Sequence, residues 1–297
     1  MVRLGTEARR SPVIPPQKQM TGMLGHPVAE NPIDRMFDAV YAHYGLPWQF
    51  WKSDIADEAG LAKAIAALVP LGYRGVGITV PYKVAVMPML DVLDDDVQAI
   101  GAANYVTVEN GRLIGHNNDG KGVVKAIQKV VPLAGQRVVM LGAGGAGRAM
   151  AVEIAWAGAA AMTLVTRREE QGREVAALVE RASGVPCQWQ PWSGEVSVPE
   201  GTTLLMNATH LGCAPALEPV PVRWNTVDPS CTAVDVITNP RLTPFLLTAR
   251  EHGCRIVDGV EMLVQLAMQI FERWTGVQPE EAVFQRAVAE ALGETTA

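Results

Sequence analysis

Cysteine is scarce in this chain, and its four copies (Cys187, Cys213, Cys231 and Cys254) lie apart, with no CxxC pair and no metal-ligand spacing. That pattern excludes a disulfide framework or a cysteine metal site as the organising principle and predicts reduced, mostly buried thiols. Long apolar runs are missing too: none approaches the roughly 20 residues a membrane helix needs, so no membrane partner is expected. Runs of like charge are absent, and 25 basic against 31 acidic residues leave a formal charge of -6. Nucleic acid is therefore not expected as a partner. The opening stretch MVRLGTEARRSPVIPPQKQM carries basic residues but no apolar core, which predicts a flexible arm over 1–19 rather than a secretory signal, and a cytoplasmic protein. Internal repeats and low-complexity tracts are absent.

What is present is ample core. A hydrophobic fraction of 48% in 297 residues predicts two globular domains. From residue 20 to about 115, short apolar runs alternate with helical patterns. TGMLG, PWQFWKSDI and GVGITV read as strands, and RMFDAVYAHYGL and EAGLAKAIAALVPLG as helices, an alternation that predicts an α/β layer with parallel strands. A helical stretch (VVKAIQKVV) follows, and then QRVVMLGAGGAGRAMAVEIAWAGAAAMTLVTRR reads strand, glycine turn, helix, strand. With further strands expected at TTLLMNAT, TAVDVIT and CRIVDGV, this is a second α/β domain. The last segment, from EMLVQLAMQIFERWTG onward, is helical.

Gly142, Gly144 and Gly147 form GxGxxG directly after a strand and before a helix. Such a turn lets backbone approach a pyrophosphate, whose charge the helix N-terminus favours. Its lining is expected from Gly142, Ala143, Gly144, Gly145, Ala146 and Gly147. The next strand runs into Thr166, Arg167 and Arg168. An NAD site typically carries an acidic residue there, whereas two guanidiniums suit the 2′-phosphate of NADP. NADP is favoured, with NAD as the alternative and a solvated basic turn beside Glu169 and Glu170 as the structural one.

PYK places Lys83 just beyond a strand's C-terminal end, where open α/β sheets hold ligands. GHNNDG places Asp119 at the presumed domain junction, a preferred site for small molecules. A lysine and a carboxylate can shuttle a proton together, yet by spacing alone neither residue carries an enzyme assignment. His26 and His116 flank the presumed cleft; His43, His210 and His252 have no metal-ligand spacing. Met262 and Met268 read first as core.

Together, TVPYK (79–83), GAANY (101–105), GHNNDGKG (115–122), GAGGAGRA (142–149), MNATHLG (206–212), DVITNPRLTPFL (235–246) and DGVEMLVQLA (258–267) resemble the shikimate dehydrogenase family. The resemblance implies an α/β fold with an N-terminal substrate domain (20–117 plus 260–297), a Rossmann-like nicotinamide domain (118–259), and C-terminal helices returning to the first. It implies reversible transfer between a nicotinamide cofactor and a ring hydroxyl or ketone of a small cyclic hydroxy acid, in a monomer or homodimer. Lys83 matches the family's catalytic lysine, Asp119 its partner aspartate, and Asn104 an asparagine that holds substrate hydroxyls. Thr79, Thr238, Gln265, Glu30 and Asn31 fall at or beside substrate-binding positions. Asn207, Ala208, Thr209, Val236, Gly259 and Met262 fall in cofactor-side motifs.

The departures concentrate in the substrate shell. The family's first loop carries Gly-x-Pro and then two serines for the substrate carboxylate. Here Gly25, His26 and Pro27 are followed by Ala29, Glu30, Asn31 and Pro32, without serine. Gly77 replaces an asparagine, Thr238 a tyrosine, and Leu266 stands where a glutamine is expected, with Gln265 one position away. A rebuilt pocket is expected, on a shikimate- or quinate-like compound with altered ring substituents. Two rivals stay open: a ligand-binding paralogue without turnover, and a dehydrogenase of the tetrahydrofolate type.

Overall fold

The computed structural model describes residues 18–29 and 31–294. The arm expected over 1–19 therefore lies outside the described residues up to position 17, as does Glu30; Gln19 already belongs to the first strand.

The first sheet begins with β1 (Gln19–Gly25), whose last five residues are buried between β2 (Trp48–Asp54) and β3 (Tyr73–Ile78), both parallel to it. Between them run α1 (Ile33–His43) and α2 (Glu58–Ala67). α1 buries Ile33, Met36, Phe37, Val40 and Tyr41, a stripe at three- and four-residue spacing that faces one core. The Asn31 side chain accepts from the Ile33 amide at 3.0 Å as that helix starts, and Asp57 caps α2 by accepting from the Gly60 amide at 2.7 Å.

The expectation of parallel strands fails after β3. The chain makes a short strand β4 (Val92–Leu93), a helix α3 (Asp95–Ile100), then a hairpin of β5 (Tyr105–Glu109) and β6 (Arg112–His116). β5 runs antiparallel to both β3 and β6, giving the order β2-β1-β3-β5-β6-β4. The cause is local. Asn110 and Gly111 form a two-residue turn with φ of 53° and 74°. Positive φ at both central positions matches the turn to the strand twist, and Asn-Gly is the pair that tolerates it best.

After α4 (Asp119–Gln128) the second sheet forms from β7 (Arg137–Leu141), β8 (Ala161–Thr166), β9 (Cys187–Pro191), β10 (Leu204–Asn207), β11 (Thr232–Asp235) and β12 (Arg255–Val257). All its pairings are parallel, in the order β12-β11-β10-β7-β8-β9. Read in chain order from β7, this is the doubly wound 3-2-1-4-5-6 arrangement, with its reversal between β7 and β10. The helices α5 (Gly145–Trp156), α6 (Glu169–Ser183) and α7 (Pro244–Glu251) connect its strands.

The chain ends in α8 (Gly259–Thr275) and α9 (Glu281–Leu292), which return to the first sheet: α8 packs on α4 and α9 on α1. Their aromatic residues lock this return. Phe37 stacks on Phe50 at 4.9 Å and lies 5.6 Å from Trp274, whose indole donates to the Val106 carbonyl of β5 at 3.3 Å. A β-carbon on Gly75 of β3 would stand 2.2 Å from that indole nitrogen, so glycine is what lets the ring lie against the sheet. Each ring removed from water contributes about 1.5–3 kcal/mol.

Candidate active site

Three of the sequence motifs converge because of the hairpin. Asn104 immediately precedes β5, and its carbonyl accepts from Ile78, the last residue of β3, at 2.6 Å. Its amide donates to the His116 carbonyl at the end of β6. The 79–83 segment after β3 and the 117–119 segment after β6 are thereby drawn to the same place as Asn104.

There Lys83 Nζ donates directly to Asp119 Oδ2, in a pair almost fully withdrawn from solvent. Asn104 Nδ2 donates to Asp119 Oδ1 at 2.9 Å and to Asn118 Oδ1 at 2.8 Å, while its own Oδ1 accepts from the Asn118 amide. Asn117 Oδ1 accepts from the Asp119 amide at 3.1 Å, and Asn118 Nδ2 donates to the Leu266 carbonyl of α8 at 2.8 Å. Both Nδ2 hydrogens of Asn104 are thus committed inside the protein. It braces the carboxylate rather than lining the cleft.

The cleft measures about 890 Å³, a size suited to a cofactor with a small substrate. It is lined by Lys83 and Asp119 at one end, and Asn31, Thr79 and Thr238 also line it. At the other end it is lined by all six residues of the glycine turn, 142–147, and by Thr166, Arg167 and Arg168. Of the residues expected from the cofactor-side motifs, Ala208, Thr209, Val236 and Met262 also line it. Gly142 has a φ of 96°, and a β-carbon on it would lie 2.8–2.9 Å from Thr209 Cγ2 and the Ala208 carbonyl oxygen. Gly144 faces open space, and a β-carbon on Gly145 would stand 3.2 Å from Lys83 Cβ. The turn is therefore bare backbone at the start of α5, next to the lysine. That is a cradle for a pyrophosphate, and the residues present fit a nicotinamide dinucleotide.

The comparisons with known proteins agree with this architecture. The model of the shikimate dehydrogenase substrate binding domain matches residues 23–106. The NADP(+) shikimate dehydrogenase of Moorella thermoacetica is 35% identical over 281 residues, covering 93% of this chain and 95% of that protein. This chain belongs to the shikimate dehydrogenase family. As a member it is an NAD(P)-dependent oxidoreductase acting on carbinol groups. Solved family structures share its fold. The ligand-free 5-ketofructose reductase of Gluconobacter sp. strain CHM43 is 38% identical with a TM-score of 0.85, covering 92% of this chain and 99% of that one. The quinate dehydrogenase of Corynebacterium glutamicum, in complex with NAD, is 26% identical with a TM-score of 0.84, covering 92% and 99%.

Four of the residues expected from the family motifs lie away from the cleft. Gln265 donates to Glu261 at 3.1 Å on α8, beside the cluster in which Lys129 bonds Glu261 and Glu281. Asn207 is buried, with Nδ2 shared between the Leu211 carbonyl and Asp235 and Oδ1 accepting from Thr209. Gly259 is glycine because a β-carbon would meet the Ile237 carbonyl oxygen at 2.3 Å. Asn104, as above, acts behind Asp119. The two histidines expected to flank the cleft also do not line it. His26 pairs with Asp54, and His116 lies buried between Asp94 and Thr107, stacked on Tyr105 at 4.7 Å. Burial lowers the His116 pKa, against the opposing pull of the Asp94 carboxylate.

Several residues that sequence reading missed do shape the site. Asn117 and Asn118 sit within the quoted GHNNDG but were not read as braces; their adjacency to Asp119 was the available signal. Trp192 lines the cleft, with its amide donating to the Thr166 carbonyl. Nothing in the sequence marks Trp192, because only the strand order brings the end of β9 beside the end of β8.

Proposed function

We propose that this protein catalyses reversible, NADP-linked interconversion of a ring carbinol and its ketone on a small polyhydroxylated compound, with Lys83 and Asp119 as the proton-transfer pair. The named substrates of its relatives, shikimate, quinate and 5-ketofructose, are all small polyhydroxylated compounds. The observation that carries the proposal is the contact between Lys83 and the glycine turn: a group able to move a proton stands against the cofactor cradle.

When bound, the nicotinamide supplies the two-electron redox chemistry. The protein's part is to hold the carbinol and handle its proton. Oxidation requires the hydroxyl proton to leave, and the Lys83–Asp119 pair accepts it at the carbinol oxygen. Asn104 fixes the carboxylate on its second oxygen, so that Asp119 holds the ammonium in one orientation. Residues 20–117 and 260–297 form the substrate-binding unit in this reading, and 118–259 the nicotinamide-binding unit.

NADP is favoured over NAD by charge. Arg167 and Arg168 line the cleft at the end of β8, and among the described residues neither has an acidic partner. Glu169 is taken by Arg173 at 2.7 Å. Two free guanidiniums suit a phosphate that they can grip bidentately.

The test is turnover followed by nicotinamide absorbance, using shikimate, quinate and uncharged polyhydroxy ketones, each with NADP and NAD. Turnover with at least one substrate, faster with NADP, is expected. Tight ligand binding with no absorbance change for any of them would favour a binding paralogue instead.

A further inference from the structure

The two ends of the cleft differ in charge. At the cofactor end, Arg167 and Arg168 stand without acidic partners among the described residues. His210, the remaining basic lining group, is exposed on the loop after β10, next to the Ala208 and Thr209 that abut Gly142. At the substrate end the cation is Lys83, and Asp119 balances it directly.

Two further basic side chains pair at the 26–34 loop and are committed, while Arg35, exposed on the first turn of α1, does not line the cleft. Lys52 reaches under the loop to the carbonyl oxygens of Ala29 and Asn31, at 2.9 and 2.8 Å, and faces the Asp34 carboxylate at 3.1 Å. His26 pairs with Asp54. Among the described residues that line the cleft, the substrate end therefore presents no uncompensated cation.

Neutral donors are available there. Asn31 Oδ1 is occupied by the Ile33 amide, which leaves Nδ2 without an acceptor among the described residues. Thr79 and Thr238 line the cleft, and their hydroxyls make no hydrogen bond to a described residue. Val80, Ile237 and Met262 add apolar lining. A carboxylate moved from water to such a surface loses hydration that no cation replaces. Hydroxyl and carbonyl groups can be matched by an amide and two hydroxyls, one for one.

We infer that the substrate is an uncharged polyhydroxy ketone, and its alcohol, held by hydroxyl contacts to Asn31, Thr79 and Thr238 instead of by a carboxylate. This rests on the dehydrogenase reading above. In the reductive direction the ketone carbon takes a hydrogen with two electrons from the reduced nicotinamide. The ketone oxygen takes one proton from the Lys83–Asp119 pair, which solvent reprotonates. The products are a secondary alcohol and oxidised nicotinamide.

The experiment compares kcat/KM across probe pairs that differ in charge, quinate against its methyl ester and shikimate against its methyl ester, with 5-ketofructose as an uncharged ketone. The uncharged ketone should exceed both acids by about a hundredfold or more, and each ester should equal or exceed its acid. A preference for the acids, with esterification lowering kcat/KM tenfold, would overturn the inference while leaving the dehydrogenase reading intact. No turnover of any probe would overturn both. Asn31→Asp keeps the acceptor for the Ile33 amide but replaces the free donor with negative charge. It should keep the thermal midpoint and the KM for NADPH while raising the KM for the uncharged ketone about tenfold; an unchanged KM would remove Asn31 from the contact.

Discussion

Asp235 allows a prediction that can be worked through in numbers. It ends β11 with 1% exposure, under the loop that carries Val236 and Thr238 into the cleft. Its oxygens accept from Thr243 Oγ1 at 2.6 Å, the Ile237 amide at 3.0 Å and Asn207 Nδ2 at 3.2 Å. Burial nevertheless dominates and raises its pKa from 3.8 to about 6. A carboxyl whose folded pKa lies above its unfolded one binds protons more tightly when folded. Its contribution to stability is complete below about pH 4 and is lost as pH rises through about 6. A rise from 3.8 to about 6 corresponds to about 3 kcal/mol at neutral pH. Asp235→Asn keeps the shape, and its amide can donate to Thr243 while its oxygen accepts from Ile237 and Asn207. The weaker neutral hydrogen bonds offset about half the gain. At a few degrees per kcal/mol, the variant's midpoint should exceed wild type by roughly 3–6 °C at pH 7.5. The difference should shrink towards zero or reverse at pH 4.5. Thermal unfolding by circular dichroism across that range reads it. A variant less stable than wild type at pH 7.5 would refute the reasoning, because the ionised carboxylate would then be the favoured form.

Other predictions address the cofactor side. Replacing both Arg167 and Arg168 with alanine should raise the KM for NADP about tenfold or more and leave the KM for NAD within about threefold, since each charge-assisted phosphate contact contributes about 1.5–3 kcal/mol; equal losses for both cofactors would place the 2′-phosphate elsewhere. Gly142→Ala combines a φ of 96° with contacts at 2.8–2.9 Å. It should destabilise the fold by about 1–3 kcal/mol and abolish measurable cofactor binding by calorimetry. A normal Kd would show that the turn can shift to accommodate a side chain.

Much of the fold was legible because the signals were local. The α1 stripe, the strand before the glycine turn and the strand carrying Arg167 and Arg168 at its end each follow from periodicity or punctuation within a dozen residues. The β5–β6 hairpin was equally local, since Asn110-Gly111 between two short strand patterns announces a tight turn. Reading the region as parallel strands overlooked it. With it went the explanation of why Asn104 meets Asp119. The Asn207–Asp235 contact was not legible, because it joins two strands 28 residues apart, whereas the Gln265–Glu261 pair is local to α8 and follows from four-residue helical spacing. The missing serines near residue 29 were visible from the start. Their chemical meaning needed the structure, which shows Lys52 spent on loop carbonyls and Lys83 spent on Asp119.

The central claim is that Lys83, held by Asp119 against the cofactor cradle, moves the proton of the carbinol. The most direct measurement is kcat for Lys83→Ala on the best substrate, with the cofactor Kd measured on the same preparation. The account predicts a fall in kcat of about 10²-fold or more at an unchanged cofactor Kd and an unchanged fold by circular dichroism. A variant that turns over within a few-fold of wild type would contradict it and remove Lys83 from the chemistry.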